Sequence, residues 1–530
     1  QLLTQRDHSG QLTTYTRNPL GQPTLVSAPG VTTATVYDTA HRVQQINDSR
    51  SNKTLRYAWS PAGRLNSTPG NNAAATHYLY DPDGRLSGVW APNYDYVSFV
   101  YDPAGRLLEK WLPNGTSARY QYNPDNTLKQ LVNRSAAATV LTQHDYTYDS
   151  VGNRLKHIEK IGATTTVYDY VYDPLDRLTQ VRNGTPAQQE DYTYDPLHNR
   201  TQKTVNLTTP NTLAYLYDAA NQLKEIRQTN ASGALLASHS YDFNGNLTSK
   251  TEGSTVTSLA YNPLNQLTQA SKTGLSTQSY QYDDAGRRIK KTVGATTTNY
   301  LYNGPDLYAE YTGSASTPTA LYAHGPNMDD PLIRLSGSSP ASPTATAQYY
   351  HQDGLGSIVG LSTNQNTTTQ TQRFDAWGNK LAGTIPQTAQ YGYTGREPDE
   401  TGLIYYRARY YDPSVGRFTQ RDPAGMPDGV NRYAYVANNP TNFVDPTGQF
   451  LDIIADVGFI LYDVGVLGYD LIANGGQNWA VHTTALGLDV AGAAVPFVTG
   501  AGAAYRAGNT LVDVARQADA AVPTGGSAAT

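Results

Sequence analysis

The stretch "YDPAGRLLEKWLPNG", residues 101–115, decides how this chain folds, because nearly the same phrase stands at residues 80–86 as "YDPDGRL" and many times more in worn form. A catalytic motif normally occurs once; a phrase that recurs is a building unit. Within the unit, Tyr101 closes an extended run. Asp102-Pro103-Ala104-Gly105 reads as a turn, because Pro sets φ, Asp bonds nearby backbone and Gly accepts positive φ. Arg106 to Leu112 begins a return strand, and a second turn at Pro113-Asn114-Gly115 sends the chain back. Two strands of about seven residues and two turns fill about 21 residues, so each unit is predicted to be a β-hairpin.

Aligned on the aromatic residue before the turn, the units form a ladder: Tyr15, Tyr37, Trp59, Tyr80, Tyr101, Tyr122, Tyr148, Tyr172, Tyr194, Tyr217, Tyr241, Tyr261 and Tyr282. Hairpins in series make one long antiparallel sheet with exposed edges, and its twist accumulates in one direction. The expected fold is mainly β, an array spiralling into a shell. A propeller is the competing β-array, but its blades need about 40 residues each.

Composition agrees. Hydrophobic residues make up 38% of the 530, yet there are 41 Tyr against 8 Phe. A Tyr ring buries apolar area while its hydroxyl keeps a polar partner, which suits a half-wet sheet better than a solid Leu/Phe core. Side chains this polar imply a hollow interior. The net charge of −5 and the absence of a Lys/Arg run argue against nucleic acid as a partner. With no Cys, neither disulfides nor thiol chemistry is available. The chain opens "QLLTQRDHSGQLTTYTRNPLGQ", inside a repeat, and reads as part of something longer.

The repeats resemble the YD repeats of Rhs proteins, of the C components of bacterial Tc toxins and of teneurins. From about Tyr349 the sequence grows denser, reading "YYHQDGLGSIVGL", "FDAWGNKL" and "YGYTGREPDETGLIYYRARYYDPSVGRFTQRDPAGMPDGVNRYAYVANNPTNFVDPTGQ". This resembles the Rhs-associated core that closes such arrays. Taken alone, "GLIYYRARYYD" reads as one Tyr-rich strand, and the segment after it as compact and turn-rich.

The core carries the candidate chemistry. Asp-Pro occurs at Asp81, Asp102, Asp173, Asp195 and Asp412, where a turn explains it. Asp422 and Asp445 stand apart by context, and "PTNFVDPTG" at residues 440–448 fits the phrase after which the Rhs and Tc core cuts its own chain. The resemblance implies an aspartyl autoprotease with Asp422 and Asp445 as its dyad and Arg409 positioning or polarising it. The cleaved bond would lie near Gln449–Phe450, with Gln449 standing where the family prefers an apolar residue. The otherwise plain readings are a structural turn clamp for the two Asp and an ordinary paired strand arginine for Arg409. No HExxH, P-loop or GxSxG motif is present, and "GLGSIVG" at residues 354–360 lacks dinucleotide-loop spacing. No cofactor and no metal are expected.

After Gln449 the chain turns apolar. Asp456, Asp463 and Asp470 recur every seven residues, one stripe of an amphipathic helix. Residues 485–505 hold one charge, Asp489, and are long enough to reach across a membrane, but Pro496 and many small residues also fit a packed helical hairpin. The expected division is a YD-repeat shell over 1–312, an Rhs-associated core with autoprotease over 313–448, an apolar helical pre-toxin segment over 449–516 and a linker over 517–530.

The functional expectation is a secreted or delivered bacterial toxin shell. It would enclose its own C-terminal effector, whose toxin domain lies outside these residues, and release it by self-cleavage in competition between bacteria. The resemblance implies further partners: a delivery machinery or Tc B-type component, and an immunity protein against the toxin. The rival is a non-enzymatic surface protein of teneurin or wall-associated type, used for adhesion or carbohydrate binding. A glycosidase would need a carboxylate pair converging in a cleft.

Overall fold

The computed structural model describes residues 3–450 and 452–453, apart from 7–11, 29–30, 50–52, 69–74, 185–188, 207–209, 284, 338, 343, 365–369, 387–389 and 427–428. The expected helices and linker after 453 lie outside the described residues.

The described chain is a succession of short antiparallel strands. Ladders join each strand to its neighbour in sequence, first in a sheet from Thr4–Arg6 to Lys53–Arg56 and then from Ala58–Trp59 through to Lys380–Gly383. The hairpin predicted from residues 101–115 is present: strand Tyr96–Tyr101 pairs with Leu107–Trp111, which pairs in turn with Ser117–Tyr122.

Each letter of the repeat has a physical task. Asp102 Oδ1 accepts the backbone N–H groups of Ala104 and Arg106, both at 2.9 Å, and so folds the turn. Gly105 supplies the required positive φ of 85°. Where the repeat lacks Gly, as at Asn126, Asp176 or Asn265, that residue takes the same left-handed conformation. The register shifts by one residue just before Tyr101, a bulge that adds local twist. The Tyr101 hydroxyl then donates to the Leu86 carbonyl of the preceding unit at 2.8 Å, and Tyr122 does the same to Leu107. Arg106 bonds Asp102 at 2.7 Å and lies over the Tyr122 ring of the next unit, 4.8 Å from its centroid. One hairpin is therefore stapled to both neighbours, through the Tyr hydroxyl behind and the Arg guanidinium ahead.

The sheet spirals onto itself. Val89, Val97 and Phe99 of early strands bury against Leu321, Ile333, Leu335 and Tyr349 of late ones. On their other side, the late strands place Tyr322, Tyr350 and Leu361 against Ile385 and Tyr391. Strands from Thr296 to Thr363 are thus covered on both faces, and polar seams stitch the layers: Tyr349 donates to Asp95 at 2.7 Å and Lys110 to Gln352 at 2.9 Å. The resulting fold is the spiralling β-shell that the repeats predict.

Residues 391–448 leave the ladder and lie against the shell. Leu403, Tyr405 and Tyr410 pack on Leu247, Leu259, Leu267 and Tyr280. Trp377, in the turn before the last ladder strand, packs likewise on Tyr168, Tyr170 and Tyr192, with the Arg200 guanidinium 3.9 Å from its ring centroid. Buried ions join the two parts: Arg288 with Glu397 at 2.6 Å and Asp399 at 3.0 Å, and Lys250 with Asp412 at 3.0 Å. Asp412 is therefore more than the turn residue that its Asp-Pro context suggests.

One local expectation needs correcting. "GLIYYRARYYD" is two strands, Ile404–Tyr406 and Arg409–Asp412, paired with Tyr406 opposite Arg409. The reversal occurs at Arg407, whose φ is 51°. Its guanidinium grips Asp329 at 2.7 and 2.9 Å, which holds the tight turn in place. The glycines of "GLGSIVG" have local explanations: Gly356 takes a positive φ of 78° in a turn, and Gly354 is packed. Gly354 donates to the Tyr146 hydroxyl and accepts from Arg154, both at 2.9 Å, and a Cβ there would meet the Tyr146 ring at 2.8 to 2.9 Å.

Candidate active site

Asp422 and Asp445, 23 residues apart in sequence, meet at Arg409. The Arg409 Nη2 lies 3.0 Å from Asp422 Oδ2 and 3.0 Å from Asp445 Oδ2. All three side chains are buried. The candidate triad of the sequence is one cluster.

Arg409 sits at the start of its strand, and its guanidinium is stacked 3.6 Å from the Phe418 ring centroid on the neighbouring strand. Its Nη1 donates to the Arg432 carbonyl at 3.2 Å and its Nε to the Gly448 carbonyl. The group is thus fixed in position between the two carboxylates and the chain that follows Asp445. Asp422 is placed by its own turn: Oδ1 accepts the Ala424 N–H at 2.8 Å, and its backbone N–H donates to the Arg432 carbonyl at 2.9 Å.

Asp445 faces the chain just beyond it. Its Oδ1 accepts the N–H of Gln449 at 3.0 Å and that of Phe450 at 3.2 Å. Asp452–Ile453 pairs with Phe443–Val444, and residues 445–450 wrap round the carboxylate. Gly448 makes this wrap possible. Its φ is 73°, and a Cβ would fall 2.0 Å from the Tyr406 carbonyl oxygen. Arg407 secures the same loop by donating to the Pro446 carbonyl.

The electrostatics follow from one cation serving two buried acids. Burial raises the Asp422 carboxyl to about 6, opposed chiefly by Arg409, with the Asp445 charge pushing further upward. Burial also raises Asp445, against Arg409 and the backbone N–H groups of Gln449 and Phe450. Two carboxylates on one guanidinium cannot both ionise cheaply, so one holds a proton while the other is free to take one. That is the electrostatic division of labour of an acid–base pair.

Sequence reasoning missed Phe418, Arg432, Arg407 and Gly448 as parts of this cluster. Arg407 sits two residues before Arg409 in "YYRARYYD", a signal visible only once the reversal between them is known. Phe418 and Arg432 act through tertiary contact and carry no local pattern.

Fold and cluster together define a YD-repeat β-shell closed by a C-terminal segment that bears a buried Asp–Arg–Asp constellation. The chain belongs to the teneurin YD-shell family, whose model matches residues 2–146 and 136–442. Among curated relatives, it is 28% identical over 331 residues to the tRNA nuclease WapA of Bacillus subtilis, covering 60% of this chain and 11% of that protein. It is 53% identical over 58 residues to the toxin subunit YenC1 of Yersinia entomophaga (11% of this chain, 6% of that one). It is also 34% identical over 116 residues to the toxin protein Tse5 of Pseudomonas aeruginosa (22% and 9%). The chain spans about a tenth or less of the length of these three relatives. Among solved structures, the TcdB2-TccC3-TEV crystal structure aligns with a TM-score of 0.47 and 18% identity, over 84% of this chain and 28% of that one.

Proposed function

We propose that this chain is the shell of a YD-repeat toxin that holds a C-terminal effector and cuts it free with Asp422, Asp445 and Arg409. One observation carries the reading: Asp445 Oδ1 lies 3.2 Å from the Phe450 amide nitrogen, while its Oδ2 shares Arg409 with Asp422. A carboxyl oxygen accepts from the nitrogen that would leave, and a second carboxyl stands beside it.

In this mechanism Asp422, near neutrality in pKa, acts as the base. It takes a proton from a water, which attacks the Gln449 carbonyl carbon. That proton passes through Asp445 to the Phe450 nitrogen as the C–N bond breaks, leaving a Gln449 carboxyl and a Phe450 amine. Arg409 holds the dyad together and anchors the Gly448 carbonyl next to the reacting bond. The shell gives the reaction a purpose, since a severed fragment packed inside a wall stays with its carrier until the wall opens.

The test is a denaturing gel of the purified chain. The expected result is a fragment beginning at Phe450, about 9 kDa on the chain's mean residue mass of 57.5 kDa over 530 residues, which stays with the shell on native size exclusion. Its absence from Asp445→Asn supports the assignment. An intact wild-type chain overturns it and favours a non-enzymatic surface role.

A further inference from the structure

Arg407 joins three parts of the molecule through one guanidinium, and two of them belong to the shell. Its Nη2 donates to the Pro305 carbonyl at 3.2 Å, in the turn between strands Thr296–Asn303 and Asp306–Thr312. Its two Nη atoms grip Asp329 at 2.7 and 2.9 Å, in the turn between strands Ala320–His324 and Pro331–Ser336. Its Nη1 also donates to the carbonyl of Pro446, one residue beyond Asp445. A single side chain therefore carries two turns of the late shell layer to the loop that the proposed cut would open.

Asp329 is the fixed end of this link. It is buried, and it also accepts from Arg396 at 2.6 Å. Burial would raise its carboxyl, but Arg396 and Arg407 together hold it below the ordinary carboxylate value, so it meets Arg407 as a full charge. A Cβ on Gly395 would fall 2.3 Å from the Asp329 carbonyl oxygen, so the closing segment touches this turn backbone to backbone. Arg407 in turn has a φ of 51°, which a residue with a Cβ keeps only where its surroundings impose it. The same reversal shapes the seat of the loop. The Ala408 N–H donates to the Thr447 carbonyl at 3.2 Å, and the Tyr406 carbonyl stands where a Cβ on Gly448 would be. Residues 446–448 lie on residues 406–408, and Asp329 holds those in place.

We infer that Asp329, a residue of the shell, is a positioning residue for the self-cleavage: by fixing Arg407 it sets residues 446–448 against Asp445, and it makes the cut depend on the late shell layer. The inference rests on the cleavage reading of Asp422, Asp445 and Arg409. The plain alternative is that the pair only anchors the closing segment. Other buried pairs already do that: Lys250 holds Asp412 in strand Arg409–Asp412, and Arg288 holds Glu397 in strand Glu397–Pro398. The Asp329–Arg407 pair differs because its cation bonds the loop itself, where a misplacement of about 1 Å costs up to about a hundredfold in rate.

The test is the rate at which chains newly made by cell-free translation convert to the shortened shell on a denaturing gel. Asp329→Asn should slow conversion at least about tenfold. Asp329→Glu, which keeps the carboxylate, should stay within about threefold of the wild-type chain. The double variant Asp329→Asn/Arg407→Gln should be no slower than Arg407→Gln alone, because Asp329 acts only through Arg407. Lys250→Met, which breaks a buried pair elsewhere on the same seam, should lower the melting temperature and leave the rate unchanged. Should Asp329→Asn fail to fold, Arg407→Lys carries the same test, since it keeps the charge but loses the paired fork. A wild-type rate in Asp329→Asn or Arg407→Lys, or an equal slowing by Lys250→Met, overturns this inference and leaves the Asp422–Asp445 reading standing. A wild-type chain that stays whole overturns both.

Discussion

Asp422 and Asp445 share one nitrogen of Arg409, each carboxylate oxygen 3.0 Å from it. One positive charge faces two acids in a buried site, and most of what can be tested about this protein follows from that imbalance.

The first test is removal of either acid. Asp445→Asn and Asp422→Asn should each slow release of the fragment beginning at Phe450 by at least about a hundredfold, the range that general acid–base groups contribute. Both isosteres keep the shape of the cluster, so circular dichroism and elution volume should match the wild-type chain. Quantitative gel densitometry over time gives the rates.

The pH dependence follows from Asp422, which is raised to about 6. As the base, it must be ionised. The cleavage rate of a chain refolded from denaturant should therefore climb about tenfold per pH unit below 6 and level off above it. A rate that falls as pH rises through 6 would reverse the two assignments.

Gly448→Ala tests the loop. With φ at 73° and the Tyr406 carbonyl 2.0 Å from any added Cβ, the alanine must displace residues 446–450 from Asp445. Cleavage should drop sharply while the shell, which this loop does not support, keeps its melting temperature within about a degree or two.

The repeat makes its own prediction. Tyr101→Phe removes the hydroxyl bonded to Leu86 and should lower shell stability by about 1 kcal/mol. Arg106→Ala removes both the Asp102 pair and the stack on Tyr122, and should cost about 1–2 kcal/mol. Gly105→Ala meets no side chain closer than 3.9 Å, so its cost, about 1 kcal/mol, should come from the positive φ alone. Urea unfolding of the uncut Asp445→Asn background gives all three values.

The hairpins were legible in the sequence because their determinants are local. The Asp102 turn, the Gly105 conformation and the strand lengths lie within one unit of the repeat. The stapling between units was not legible, since it joins Tyr101 to Leu86 and Arg106 to Tyr122 only after the strands are in register. The dyad could be named because family resemblance singles out Asp422 and Asp445. Their convergence on Arg409 depends on the reversal at Arg407, and a run of alternating Tyr and Arg reads as one strand until Asp329, 78 residues earlier, is seen to hold that turn. The ion cluster of Arg288 with Glu397 and Asp399 was invisible for the same reason: nothing in "GRRIK" says which carboxylates, more than a hundred residues on, will neutralise it.

The layered spiral has a consequence for timing. Early strands find cover in late ones, as Asp95 does in Tyr349, and the Arg154 backbone N–H donates to the side chain of Asn442, 288 residues further on. During synthesis the first turns must wait, half-dressed, for the ribosome to finish the last. The Asp–Arg–Asp cluster sits in that final stretch, rooted in partners made much earlier. Its assembly therefore follows that of the layers it rests on, and on the proposed function the cut would come only after they have formed.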